Sequence, residues 1–176
     1  RLFYYTTCGW MMWNWLVSAL AVGSAVVLYD GSPFHPDPQR LIDLIDDEGI
    51  SVFGTSPKFL ATLEKAGLQP RLSHDLSSLK GLISTGSPLS PQSYDYVYRE
   101  IKAELCLSSM SGGTDIVSCF VIGNPVLPVR RGEMQCKSLA MAIEVWDDRG
   151  QPLLGEKGEL VCTRHFPAMP IGLWND

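Results

Sequence analysis

Apolar positions along the chain fall into short continuous runs separated by stripes at helical spacing. Between residues 39 and 48, Leu41, Ile42, Leu44 and Ile45 recur on one helical face, and Gly49 closes the stripe, which predicts an amphipathic helix ended by a glycine. Residues 50–54 read as a short strand. Ser56 followed by Pro57 is a helix start, a side-chain cap followed by a residue already fixed at the helical φ, and the helix is expected to reach Lys65. Residues 79–84 predict a strand, 91–104 a helix and 105–108 a further strand. Strands alternating with helices in this way predict an α/β fold, a parallel sheet with crossover helices.

From residue 132 the pattern changes. Residues 132–135, 142–146 and 159–162 alternate or run as strands, with Asp148-Arg149-Gly150 and Glu156-Lys157-Gly158 as turns between them. The reading therefore divides the chain into an α/β part, residues 1–131, and an incomplete β-rich subdomain, residues 132–176, within one larger domain. Residues 9–29 are apolar over about the length of a membrane span. Asn14, Ser18, Gly23 and Ser24 interrupt them, so they predict a buried helix near residues 13–21 and a strand over 25–29, closed by the Asp30-Gly31 turn. No membrane span is expected.

Composition narrows the classes. With 45% apolar and 19% charged residues the 176-residue chain is ordinary for a globular protein, and a net charge of −5 without a basic cluster argues against a nucleic-acid partner. Its five cysteines, at 8, 106, 119, 136 and 162, form no C-x-x-C pair and have no histidine at ligand spacing. Neither a zinc site nor a disulfide framework is expected, and a reducing cytoplasmic compartment fits them best. The chain opens at Arg1 without a methionine or a signal-peptide pattern and stops at Asp176, so it is expected to be the central fragment of a longer protein.

The candidate chemistry lies where the last α/β strand ends. Ser109-Met110-Ser111-Gly112-Gly113-Thr114-Asp115 places two glycines, a hydroxyl and a carboxylate directly after an apolar segment. Glycines let backbone N–H groups approach an anion, Thr114 can donate to a phosphate oxygen, and Asp115 can hold a hard cation such as Mg²⁺. A plain strand-to-helix turn would use the same residue types. Gly86-Ser87-Pro88 also follows a predicted strand, and in parallel sheets ligands bind beyond the carboxyl ends of the strands. The three histidines, His35, His74 and His165, show no partners at catalytic spacing, and no G-x-S-x-G elbow occurs.

Five segments in order, Thr6-Thr7-Cys8-Gly9-Trp10, Leu28-Tyr29-Asp30-Gly31, Ser84-Thr85-Gly86-Ser87-Pro88-Leu89, Ser111-Gly112-Gly113-Thr114-Asp115 and Gly158-Glu159-Leu160-Val161, resemble the middle of the adenylate-forming acyl-CoA synthetases. The resemblance covers nearly the whole chain. It implies an enzyme that uses ATP and Mg²⁺ to join a small carboxylic acid to CoA through an acyl-adenylate. It also assigns roles: Gly86, Ser87 and Pro88 line the adenine slot, and Ser109, Met110, Ser111, Gly112, Gly113 and Thr114 form the second nucleotide segment, with Thr114 at the α-phosphate. Asp115 stands where the family usually has a glutamate that holds the metal.

Met11 and Met12, within Trp10-Met11-Met12-Trp13-Trp15, are expected to face the acid. Acetate-activating members carry a tryptophan at the position of Gly112, so its absence implies room for a longer acid, acetoacetate being the expected one. The phosphate loop with its lysine and the catalytic lysine are expected outside these 176 residues, so no catalytic residue is assigned within them. Other short- or medium-chain acids, a nucleotide-binding protein without the chemistry, and a membrane protein built on residues 9–29 stand as alternatives.

Overall fold

The computed structural model describes residues 1–175. Five short strands, β1 (Leu2–Tyr4), β2 (Val26–Val27), β3 (Val52–Thr55), β4 (Gly81–Ser84) and β5 (Cys106–Ser109), pair in parallel in the order β2-β1-β3-β4-β5. The register lines Phe3, Phe53, Leu82 and Leu107 across one face, each no more than 1% exposed. That row is buried by the apolar faces of α2 (Arg40–Glu48), α3 (Pro57–Lys65) and α5 (Pro91–Tyr96). Phe3 stacks on Phe53 with centroids 5.3 Å apart, and Phe59 of α3 closes over Phe53 at 6.1 Å. Each such side chain contributes about 1.5–3 kcal/mol through burial. The expected parallel sheet with crossover helices is the fold observed.

The opposite face is covered by α1 (Met11–Ser18), whose Met11, Met12 and Leu16 pack on Leu2, Tyr4 and Met110. Tyr4 organises this side. Its ring meets Trp10 and Trp15 edge-on at 5.9 and 6.0 Å, and its hydroxyl donates to the Thr55 carbonyl at 3.0 Å. Burial pushes that phenol well above the ordinary tyrosine range. The α1 helix starts two residues before the predicted one and passes into a 3₁₀ turn, Ala19–Val22. Among the described residues no helix is long and apolar enough to cross a membrane.

Caps follow the sequence closely. Ser56 Oγ accepts from the Phe59 N–H at 3.3 Å with Pro57 at the first helical position, so α3 begins and ends as predicted. Ser90 caps α5 in the same way, accepting from the Ser93 N–H at 3.2 Å. The expected helix over 91–104 is shorter and changes form: α5 gives way to a π turn, Val97–Ile101, and the chain is extended at Lys102. There the Lys102 ammonium donates to the carbonyls of Leu76, Ser77 and Leu79 at 2.6, 3.1 and 2.7 Å. These bonds hold the extended residue against the loop that leads into β4.

A one-turn helix, α4 (Pro70–Ser73), is followed by His74 in a bend. Its side chain is 10% exposed, and it links Asp43 at 2.9 Å on Nε2 to Ser73 Oγ at 2.7 Å on Nδ1. With Nε2–H donating to the carboxylate, Nδ1 accepts from the Ser73 hydroxyl. The chain of bonds lies outside the two cavities described below and ties α4 to α2.

The second half is antiparallel. Strands β6 (Ser111–Gly113), β7 (Ser118–Ile122) and β8 (Cys136–Lys137) form one sheet, and β9 (Ile143–Trp146), β10 (Pro152–Leu153) and β11 (Glu159–Cys162) form another in the order β10-β9-β11. Antiparallel pairing thus begins at Ser111, ahead of the boundary read at residue 132, and β8 joins the β6–β7 hairpin across it. Residues 132–135 form a turn and loop rather than the predicted strand.

Candidate nucleotide and acyl site

A cavity of about 400 Å³ opens beyond the carboxyl ends of β4 and β5, where open parallel sheets place their ligands. Three segments singled out in the sequence converge on it. From α1 come Met11 and Met12, 8% and 3% exposed, with Trp10 beside them. From the turn after β4 come Gly86, Ser87 and Pro88, and from β5 onward come Ser109, Met110, Ser111, Gly112, Gly113 and Thr114. Every residue expected to touch nucleotide or acid, the metal ligand excepted, borders this one space.

The two strand ends are held together by one side-chain and one backbone hydrogen bond. Thr85 Oγ1 donates to the Met110 carbonyl at 2.9 Å, and the Met110 N–H donates to the Ser84 carbonyl at 2.9 Å. The glycine-rich run is not a strand-to-helix turn, as its composition equally allowed. It is β6, the first arm of a hairpin with β7, and the pairing shifts register between Ser111 and Gly112. Gly112 sits opposite Cys119, and a Cβ at this position would collide with the Ser118 carbonyl oxygen and lie 3.0 Å from the Cys119 Cα. The glycine is therefore required by the close approach of β7 as well as bordering the cavity, and on this backbone a side chain at 112 starts toward β7.

Asp115 is exposed and lies outside the cavity wall, one residue beyond Thr114. Among the described residues no group of three or more His, Cys, Asp or Glu is placed to hold a metal ion. A single carboxylate matches the demand of Mg²⁺, which keeps several waters and takes its other ligands from substrate phosphates.

Other lining residues lie beyond the assigned roles. Thr85 and Leu89 belong to the segment around the Gly86-Ser87-Pro88 turn, whereas Tyr94 of α5, Ser118 and Cys119 of β7, and Gly132, Glu133 and Met134 of the loop before β8 have no local sequence signal. Burial pushes the Cys119 thiol up, and burial likewise raises the Tyr94 phenol against the opposing effect of the Ser109 hydroxyl. Both are neutral at pH 7. Glu133 is the only acidic residue in the lining, and no Lys or Arg lines the cavity among the described residues.

A second cavity of about 380 Å³ lies on the α1 side of the sheet, between Trp15, Ala19 and Val22 and the sheet residues Leu2, Val52 and Ile83. Trp15 apart, none of the residues of the sequence motifs lines it.

A parallel sheet with a glycine-rich hairpin, a second glycine turn and a methionine wall around a cavity at its carboxyl edge defines an α/β protein with a ligand-sized site in the usual place for such sheets. The chain belongs to the AMP-binding enzyme family, whose model matches residues 2–169. It is 60% identical, over all 176 residues, to the acetoacetyl-coenzyme A synthetase of Rhizobium meliloti (strain 1021), of which it spans 27% of the length. A malonamoyl-CoA synthetase of Penicillium aethiopicum is 42% identical over 92% of this chain and 24% of its own length. The solved acetoacetyl-CoA synthetase of Streptomyces lividans superposes on the whole chain with a TM-score of 0.94 at 44% identity, over 28% of its own length.

Proposed function

We propose that the full-length protein activates acetoacetate. A carboxylate oxygen attacks the α-phosphorus of ATP, the bond to pyrophosphate breaks and acetoacetyl-adenylate forms; the CoA thiol then displaces AMP to give acetoacetyl-CoA. The observation that carries this reading is the convergence of the Gly86-Ser87-Pro88 turn, the β5–β6 segment and Met11–Met12 on one cavity, in a chain 60% identical to an acetoacetyl-coenzyme A synthetase.

In this reading Gly86, Ser87 and Pro88 form the flat, rigid edge on which adenine rests. Backbone N–H groups at Gly112 and Gly113 and the hydroxyl of Thr114 receive the α-phosphate, where negative charge builds as the adenylate forms. Met11 and Met12 supply adaptable apolar surface to the acid. Asp115, with phosphate oxygens and waters, would hold Mg²⁺, which when bound offsets phosphate charge. The assignment is to a cytoplasmic enzyme, a placement supported by the five free cysteines.

Acetoacetate and malonamate are near-isosteres, each a short acid with an uncharged β-carbonyl, so the named acids of the two curated relatives share one shape. The test is exchange of labelled pyrophosphate into ATP by the full-length protein with acetoacetate, malonamate, acetate and butyrate at equal concentration. Exchange strongest with acetoacetate is expected. Faster exchange with another acid would keep the ligase chemistry and replace the substrate, and none with any acid would leave a nucleotide-binding protein without the chemistry.

A further inference from the structure

Three consecutive residues fasten one wall of the cavity to a single helix. The Arg131 guanidinium grips both oxygens of Asp95, Nε to Oδ1 at 2.8 Å, Nε to Oδ2 at 3.0 Å and Nη2 to Oδ2 at 2.9 Å. Gly132, at φ +80°, packs so closely on α5 that a Cβ there would lie 3.3 Å from Pro91 Cγ. The Glu133 carbonyl accepts the Tyr94 hydroxyl at 2.7 Å. The partners at 91, 94 and 95 are spaced i, i+3 and i+4, so they share one face of α5.

Two residues on, Gln135 is fixed from the other side. Gln135 Nε2 donates to the carbonyls of Asn124 and Leu127, both at 3.0 Å, and its Oε1 accepts the Asn124 N–H at 2.9 Å. Residues 132–134 are thus a bridge stretched between two fixings, and they line the cavity beside the Gly86-Ser87-Pro88 turn, which feeds into the same helix through the Ser90 cap.

Asp95 and Arg131 themselves stay outside the cavity, 45% and 56% exposed. An exposed ion pair adds little to global stability. A bidentate carboxylate–guanidinium pair nevertheless fixes direction as well as distance. We propose that Asp95 and Arg131 are positioning residues, which hold residues 132–134 as the nucleotide-side wall of the cavity and so set affinity for the nucleotide but not for the acid. This rests on the nucleotide reading of the cavity given above.

The experiment uses the full-length protein and compares the wild type with Asp95→Asn, Arg131→Gln and the charge-exchanged double variant D95R/R131D. The readouts are AMP affinity by calorimetry, the separate KM values for ATP and acid in pyrophosphate exchange, and Tm. Each single variant is expected to weaken AMP binding and raise the KM for ATP about 3- to 10-fold. The KM for the acid should stay within about twofold and Tm within a few degrees, and the exchanged pair should recover most of the loss. Unchanged AMP affinity and ATP KM in both single variants would overturn the proposal. So would a parallel rise in both KM values with a falling Tm, or an exchanged pair no better than the singles. A wild type that binds AMP without exchanging pyrophosphate would overturn the ligase reading alone, and one that binds no AMP would overturn both.

Discussion

At the residue scale the sharpest constraint is Gly112. The acid-pocket argument treats it as vacated space, yet a methyl group placed there would meet the Ser118 carbonyl before it met any ligand. Gly112→Ala is therefore expected to cost about 1–3 kcal/mol through overpacking of the hairpin, read as a fall in Tm of the full-length protein. Gly112→Trp must be judged against Gly112→Ala rather than against wild type. Relative to Ala, Trp should move acid preference from acetoacetate toward acetate; equal preference in the two variants would mean that Gly112 serves only the β6–β7 contact. Asp95 gives a pH prediction of definite sign. Its hydrogen bonds with Arg131 hold the carboxyl below the ordinary carboxylate range, so what the pair contributes is fully present above about pH 4, the unfolded value, and is lost as pH falls through the lower folded value. Hydrogen exchange at residues 131–134, corrected for its intrinsic rate, should be flat from pH 8 to 5 and rise in stronger acid. Asp95→Asn should exchange fast throughout.

At the scale of elements, the parts written in local chemistry were legible and those decided by long-range packing were not. Ser56-Pro57 announces α3 because a cap and a proline act within one turn, and the four apolar positions of α2 announce its buried face. Removing the cap with Ser56→Ala should cost about 1 kcal/mol, measured as a lowered denaturation midpoint with the acid preference intact. The leading strand β1 is only Leu2–Tyr4, too short for any alternation to show, and its identity comes from pairing with Val26–Val27 and with Val52–Gly54, far along the chain. The segment 132–135 alternates like a strand but finds no partner strand, because Arg131, Gly132 and Glu133 are taken by α5. The glycine-rich run was legible as a site through its glycines and Thr114, but not as a strand, since glycine weakens every strand signal and only the cross-strand contact with β7 makes it one. Tyr94 and the 132–134 loop enter the same cavity through tertiary contacts that no spacing encodes.

For the whole molecule, the charge on the cavity wall bears on how much of a nucleotide site these 176 residues form. ATP brings several negative charges, whereas the lining holds one acidic residue, Glu133, and no Lys or Arg among the described residues. Backbone N–H groups and Thr114 can orient a phosphate, but without a facing ammonium or guanidinium they do not offset its desolvation. The apolar surface tells the same story from outside. Val22, Leu139, Leu154 and Trp174 are 82%, 94%, 98% and 93% exposed, and the α1 side of a parallel sheet, normally covered on both faces, is open at the second cavity. The 176-residue chain produced alone should therefore bind a hydrophobic dye and hold ATP only weakly, with Kd above about 1 mM by calorimetry, some 4 kcal/mol or less of binding free energy. On the proposed reading adenine rests on the Gly86-Ser87-Pro88 turn, which is already formed at the cavity here, so AMP, with less charge to offset, should bind the isolated chain no worse than ATP does. ATP binding in the micromolar range would show instead that the hairpin backbone alone suffices for the phosphates, and the positive charge expected from the rest of the full-length protein would then belong to the transition state rather than to binding.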